Sequence, residues 1–459
     1  MNQPERQTGN GRPDLVRARE RKGLTQEEAA ELIGVAVTTW ARWERGEQKM
    51  RPAYRVRIAR AWHVPVEEVE RWLAVPHPVA EPAPDVDVNG LAVGCCAESA
   101  ARLWRWEIDT SRRQLLAALP FTPTVLGEWL LSWSFDPPVA APGNVSNVRV
   151  GMSDVRAIQE AHEAFTRMDH QFGAGLVRPA VIDFLASKVA PLLRGRADDD
   201  VRTELFTAAS QMTRLAGWMA FDLSRHGQAQ QHFGQALKLA KQAEDGLTGA
   251  WVLATLAQQA CDLSQRRWAI RLAGAAVEAA DKAEAPSQMT AELLVRQARA
   301  LAVLADIDGD RPDAYTIGEV GRLLTKAETA FARDTTGRGP SWNDSFDAAE
   351  MAAEVGYCWQ LLGEHQRAVI HTEQALQGFG TDFPRSTQFN QIHAARSYLE
   401  LGELDRALDY ACQAVPATGT LASTRARTLM DDFTHCLKPY RSNRHVRDFE
   451  DYRHTHSPS

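Results

Sequence analysis

Four times between Gly217 and Ala414 the chain repeats one spacing: a Gly or Ala, an Ala twelve residues on, and another Ala seven residues after that. The copies are Gly217, Ala229 and Ala236; Ala257, Ala269 and Ala276; Gly356, Ala368 and Ala375; and Ala395, Ala407 and Ala414. Small side chains at fixed offsets let antiparallel helices approach closely, first within a hairpin and then between successive hairpins. The spacing therefore predicts helical pairs almost throughout from Ser153, starting with Asp154 to Phe172 and Leu176 to Leu193. Helices over Ser423 to Tyr440 and Val446 to His454 close the chain, and the copy around Ala291 to Ala332 is degenerate.

The other end reads differently. Pro13 opens a helix that runs to about Lys22, where Gly23 ends it, since a missing N–H costs nothing in a first turn. Thr25, with Glu28 three residues later, has the form of a reciprocal capping box for a second helix. Ala30 and Gly34 then supply a small side chain where two helices touch and a residue tolerant of positive φ in the turn between them. Val35 to Arg45 reads as an amphipathic helix, with Trp40 and Trp43 on one side and Val37, Thr38, Ala41, Arg42 and Arg45 on the other. That second side suits the major groove of DNA, which admits one helix. Arg42 is the expected base reader, because its planar fork donates two hydrogen bonds to guanine; Thr38 offers a hydroxyl, and Val37 an apolar contact to a thymine methyl. Gln26, Arg45, Lys49 and Arg51 are placed for phosphate contact, which sets register without reading sequence. From Gly11 to His63, 12 Lys and Arg stand against 7 Asp and Glu, a net of +5, whereas the whole chain is −7. Polyanion binding is thus expected at one end.

From Asp14 to Leu73 the sequence resembles the Cro/C1 (XRE-like) helix-turn-helix family, through GLTQEEAAELIGV, TTWARWERGE and the Ala59 to Val64 stretch. The resemblance implies that Gln26, Val37, Thr38 and Arg42 face DNA and that Glu44 pairs within the module. Ala36 departs from the pattern, which places Ser or Thr there as a cap. The alanine spacing resembles the tetratricopeptide repeat, with Trp359 and Tyr398 where that repeat favours an aromatic, although near 40 residues rather than 34 separate corresponding alanines. Jointly the halves resemble actinobacterial regulators with a Cro/C1-type head and a tetratricopeptide body. They share domain order alone with peptide-responsive quorum regulators of Gram-positive bacteria.

The expected fold is all-α: a five-helix helix-turn-helix domain over 12–74 and a tetratricopeptide-like α-solenoid over 151–455. Between them lie a Pro-rich linker at 75–87 and a Trp-rich connecting segment at 88–150, whose Trp104, Trp106, Trp129 and Trp133 point to packing. No phosphate-cradling glycine loop, metal-ligand cluster or nucleophile elbow stands at recognisable spacing, so the expectation is a non-enzyme with neither cofactor nor metal. His162, Asp169 and His170 share one predicted helix, where packing outweighs a metal site. The six cysteines are scattered apart from Cys95 and Cys96, which suits reduced thiols and a cytoplasmic location. Ser111 to Leu116 imitates a twin-arginine export signal, but it follows a complete module and the apolar stretch behind it is broken by Pro120, Pro123 and Glu128.

The function expected is a DNA-binding transcriptional regulator that binds double-stranded DNA as a homodimer and has no membrane partner. Its repeat groove would serve dimerisation or hold a peptide, protein or small-molecule effector. The alternative is a protein-interaction scaffold with an auxiliary DNA-binding head. Whether the groove stands open or is filled by the chain's own C-terminal helices is left open by composition and periodicity alike.

Overall fold

The computed structural model describes residues 12–22, 24–45, 48, 50, 52–62, 64, 69, 72–73, 96–138, 147–305, 312–333, 346–381, 383–420 and 423–456. The chain divides into two compact units, Met1–Val88 and Asn89–Ser459. Among the described residues every regular element is helical, and no helix is long and apolar enough to cross a membrane.

The first unit, the head, holds α1 (Pro13–Arg21), α2 (Gln26–Ile33), α3 (Val37–Glu44) and α4 (Pro52–Trp62); Val69, Trp72 and Leu73 are helical as well. Leu15, Ala30, Ile33, Trp40, Trp43, Ile58, Trp62, Val69 and Trp72 form its core. The indole rings of Trp40 and Trp43 lie 6.0 Å apart, and Trp62 lies 5.8 Å from Trp40. Edge and tilted ring contacts of this kind add to area burial in a unit too small for a large core.

In the second unit, the body, a Trp-bearing segment comes first: α5 (Cys96–Ile108), α6 (Thr110–Ala117) and α7 (Val125–Phe135). Six helical hairpins follow. Their first helices are α8 (Met152–Phe172), α10 (Asp199–Asp222), α12 (Gly246–Asp262), α14 (Ser287–Ala305), α16 (Ala348–Leu361) and α18 (Pro384–Glu400). Their second helices are α9 (Ala174–Phe184), α11 (His226–Gln242), α13 (Arg266–Lys282), α15 (Ala314–Ala332), α17 (His365–Gly378) and α19 (Leu404–Thr420). Helix α9 runs into a π-helical turn, Leu185–Val189. The chain ends with α20 (Thr424–Cys436) and α21 (Arg444–His456).

The 40-residue spacing has a simple origin. Helices α11, α12 and α13 are 17 residues each, and three-residue joints separate them. Glu244 and Ser264 in those joints, with Ser224 just before α11 and Glu284 just after α13, are spaced 20 apart and take φ of 52–58°, and Gly363 and Gly402 take φ of 72° and 79° later. Each joint closes on an alanine carbonyl: the amides of Arg225, Asp245, Gln265 and Ala285 donate to Ala220, Ala240, Ala260 and Ala280. Left-handed backbone is unfavourable for Ser and Glu, and these paired bonds offset the cost. The alanines of the repeated spacing are buried, and a Cβ on Gly217 would come within 2.6 Å of the Phe233 ring.

The array of hairpins does not stay open. Each first helix packs on the next, and α18 packs back on α8, so six helices make a closed ring. Arg385 of α18 seals it, with Nη2 2.9 Å from the Asp169 carboxylate of α8 and Nη1 3.7 Å from that of Asp222 on α10. At the start of α20, Ser423 donates to Asp222 at 2.9 Å and Arg425 pairs with Asp262 at 2.9 Å. The first turn of α20 therefore reaches the C-terminal ends of α10 and α12.

The Trp-bearing segment is built into the body. Trp104 is fully buried, and the rings of Trp129 and Trp133 lie on Gly234 and Gly249, where no side chain intervenes. Glu107 of α5 is buried against Arg178, at 2.7 Å, and the His232 ring. Burial alone would push its carboxyl up, yet the two partners hold it at about 2. The twin-arginine imitation falls in α6.

Candidate nucleic-acid interface

Local sequence fixes the turn that presents α3. Thr25 Oγ1 accepts from the Glu28 amide at 3.2 Å, and Glu28 Oε2 accepts from the Thr25 amide at 2.8 Å. Gly34 adopts φ +71°, and the amides of Gly34 and Val35 return to the carbonyls of Glu31 and Ala30. This closure takes up Val35, so α3 starts at Val37 and not at Val35 as periodicity predicts. Ala36 offers no side-chain cap; its carbonyl accepts from the amides of Thr39 and Trp40.

Helix α3 is held from beneath by one carboxylate. Glu44 is only 5% exposed. It accepts from Arg19 Nε at 2.7 Å, Trp40 Nε1 at 2.8 Å and Gln26 Nε2 at 2.5 Å, which ties α1 and α2 to α3. Arg12 fastens the same end, its amide donating to the Glu44 carbonyl and its guanidinium to the carbonyls of Trp43 and Gln48. Burial, and then the nearby Arg55, lowers the Arg12 guanidinium from its ordinary value. Buried carboxylates with several charge-assisted bonds orient what they touch.

With Trp40 and Trp43 directed inward, Val37, Thr38, Arg42 and Arg45 are exposed and Ala41 is half-buried. The polar face of the sequence reading thus lies outside. Gln26 is half-buried, and its amide is engaged by Glu44, so its side chain braces the fold. Lys49 and Arg51 lie outside the described residues, as do Cys95 and the linker 75–87. Two cations went unassigned by sequence reasoning. The Arg57 guanidinium lies against the Gly34 turn, 3.8 Å from the position of a Cβ, and Arg60 is exposed on the same helix. Both sit in α4, whose charge has no periodic relation to the α3 pattern.

Residues 15–72 match the family model of a helix-turn-helix domain. No curated protein matches the chain. The helix-turn-helix domain accounts for the head alone, and within it α2 and α3 are the helices joined by the Gly34 turn. Its exposed face presents the apolar Val37, the Thr38 hydroxyl and the Arg42 guanidinium within a turn and a half of helix, with Arg45 beyond them.

Proposed function

We propose that the chain is a transcriptional regulator of the Cro/C1 type that inserts α3 into the major groove of double-stranded DNA. The single observation that carries this reading is the exposed set Val37, Thr38, Arg42 and Arg45 on a helix whose other side is locked by Glu44, Trp40 and Trp43. Arg42 reads a guanine, Thr38 and Val37 touch its neighbours, and Arg45, Lys49 and Arg51 hold phosphates. Arg57, beside the turn, joins the phosphate set.

The body, which we read as tetratricopeptide-like, performs no catalysis in this account. It pairs two chains and takes an effector, so that two heads meet half-sites about one helical turn apart. Closure of its first helices into a ring favours a small molecule over an extended peptide as that effector. The protein works in the cytoplasm, where its DNA is.

A salt titration on selected and random DNA tests the reading. A regulator binds a selected site far more tightly than random sequence, and both affinities fall steeply with salt. Equal affinity for every sequence would instead favour a protein-interaction scaffold with an auxiliary DNA-binding head. Footprinting tests the dimer: two symmetric half-sites are expected, and one isolated site contradicts it.

A further inference from the structure

Several arginines on the first helices of the ring and at the start of α20 are buried or half-buried and hold a carboxylate closely. Arg296 meets Glu292 at 2.6 Å, Arg299 meets Asp262 at 2.7 Å, Arg385 meets Asp169 at 2.9 Å and Arg425 meets Asp262 at 2.9 Å. Arg214 of α10 differs. It is 8% exposed, its guanidinium lies 3.2 Å from the centre of the Trp251 ring, and one nitrogen donates to Thr255 Oγ1 at 3.3 Å. Its Nε has no hydrogen-bond partner, and among the described residues it forms no ion pair.

The groups facing Arg214 point the same way. Glu292 and then Asp169 are the carboxylates whose charge acts on Arg214, and each is already committed to another arginine. His162, buried on α8, keeps its Nε2 unpartnered, and so does Asp169 its Oδ1 two turns further along that helix. Burial first and the Arg214 charge second hold the His162 ring neutral, at about 3; burial, Arg385 and Arg214 hold His170 at about 4. In the neighbouring ion pairs the side chains of Asp262, Glu354 and Arg425 keep 20%, 17% and 17% of their surface. A buried water would satisfy an N–H but would leave the cation uncompensated.

We propose that the interior of the ring beside Arg214 is a binding site for a small anionic molecule. Its carboxylate or phosphate takes the free edge of the guanidinium, which Trp251 holds flat, and His162 Nε2 and Asp169 Oδ1 meet the polar groups next to that anion. This deepens the reading of the body as an effector-binding unit and rests on it.

The test titrates the full chain with inorganic phosphate and with acetate, against chloride at matched ionic strength, by calorimetry and by tryptophan fluorescence. Saturable uptake of one of the two anions is expected. It should weaken by about tenfold or more in Arg214→Gln and stay unchanged in Arg322→Gln, whose side chain is 64% exposed. Should Arg214→Gln lose its native circular dichroism, Arg214→Lys replaces it, because an ammonium keeps the charge but loses the fork and the stacking. Uptake no stronger than that of chloride for both anions, or a folded Arg214 variant that binds as the parent does, overturns the site. Arg214-dependent uptake that leaves operator affinity unchanged keeps the site and removes the effector reading.

Discussion

Glu44→Ala is the perturbation that asks most of the head. The carboxylate takes hydrogen bonds from Arg19, Gln26 and Trp40 while only 5% exposed. Alanine leaves the Arg19 guanidinium, itself 9% exposed, without its carboxylate in the core. Breaking a buried pair from one side costs about 3–5 kcal/mol, and an orphaned Trp40 N–H adds about 1 kcal/mol or more. A folded unit of this size has about 5 kcal/mol in all, so the head of Glu44→Ala should be largely unfolded at room temperature. Glu44→Gln keeps the shape and one acceptor, so it should cost about 2–3 kcal/mol and leave a folded head. Hydrogen exchange resolved along the full chain separates the units: amides of α1 to α3 should lose protection while those of α10 to α13 keep theirs. Native protection across α1 to α3 in Glu44→Ala would refute the reasoning, since the carboxylate would then not be what binds the three helices.

Three further outcomes follow from particular positions. Ala36→Ser supplies the absent cap of α3 and should stabilise the head by about 1 kcal/mol, read as a rise in its urea midpoint. Gly234→Ala and Gly274→Ala should have opposite signs in thermal unfolding of the body. A Cβ at Gly234 would stand 2.5 Å from the Trp129 ring and should cost about 1–3 kcal/mol. At Gly274, where nothing lies within 4 Å, alanine should add up to about 1 kcal/mol through helix propensity. Burial pushes the Glu350 carboxyl up to about 7, against the hydrogen bond it accepts from Ser386. The folded chain therefore holds that proton over a range where the unfolded chain, near 4.3, has released it. Glu350 should cost stability progressively as pH rises from about 4.5 through 7, and Glu350→Gln should flatten that slope in urea midpoints measured across the range.

The parts legible in the sequence are those written locally. Thr25 and Glu28 cap α2 from three residues apart, Gly34 takes the conformation its residue type permits, and the Trp40 and Trp43 spacing fixes which side of α3 is buried. The alanine spacing announces close helical hairpins because one small side chain per contact is enough to mark it. What escaped depends on partners distant in the chain. Arg385 meets Asp169, and Ser423 meets Asp222, through no periodic pattern, so ring closure left no trace in any single window. The glycines beneath Trp129 and Trp133 look like weak points of α11 and α12 until the tryptophans are placed on them. Within the head itself, the hydrogen bond from the Gln26 amide to Glu44 could not be read from the position of Gln26 at the start of α2, because its acceptor lies 18 residues away.

Arg42 is where base reading by α3 is most directly tested. Operator binding by Arg42→Ala, measured on the selected site and on variants altered at each base pair, is the most direct measurement. A loss of about 1–3 kcal/mol confined to one base position is expected, with discrimination there abolished, while Lys49→Ala weakens all sequences alike. Equal losses for Arg42→Ala on selected and random DNA would mean that α3 contacts phosphates without reading bases, and the central claim would be wrong.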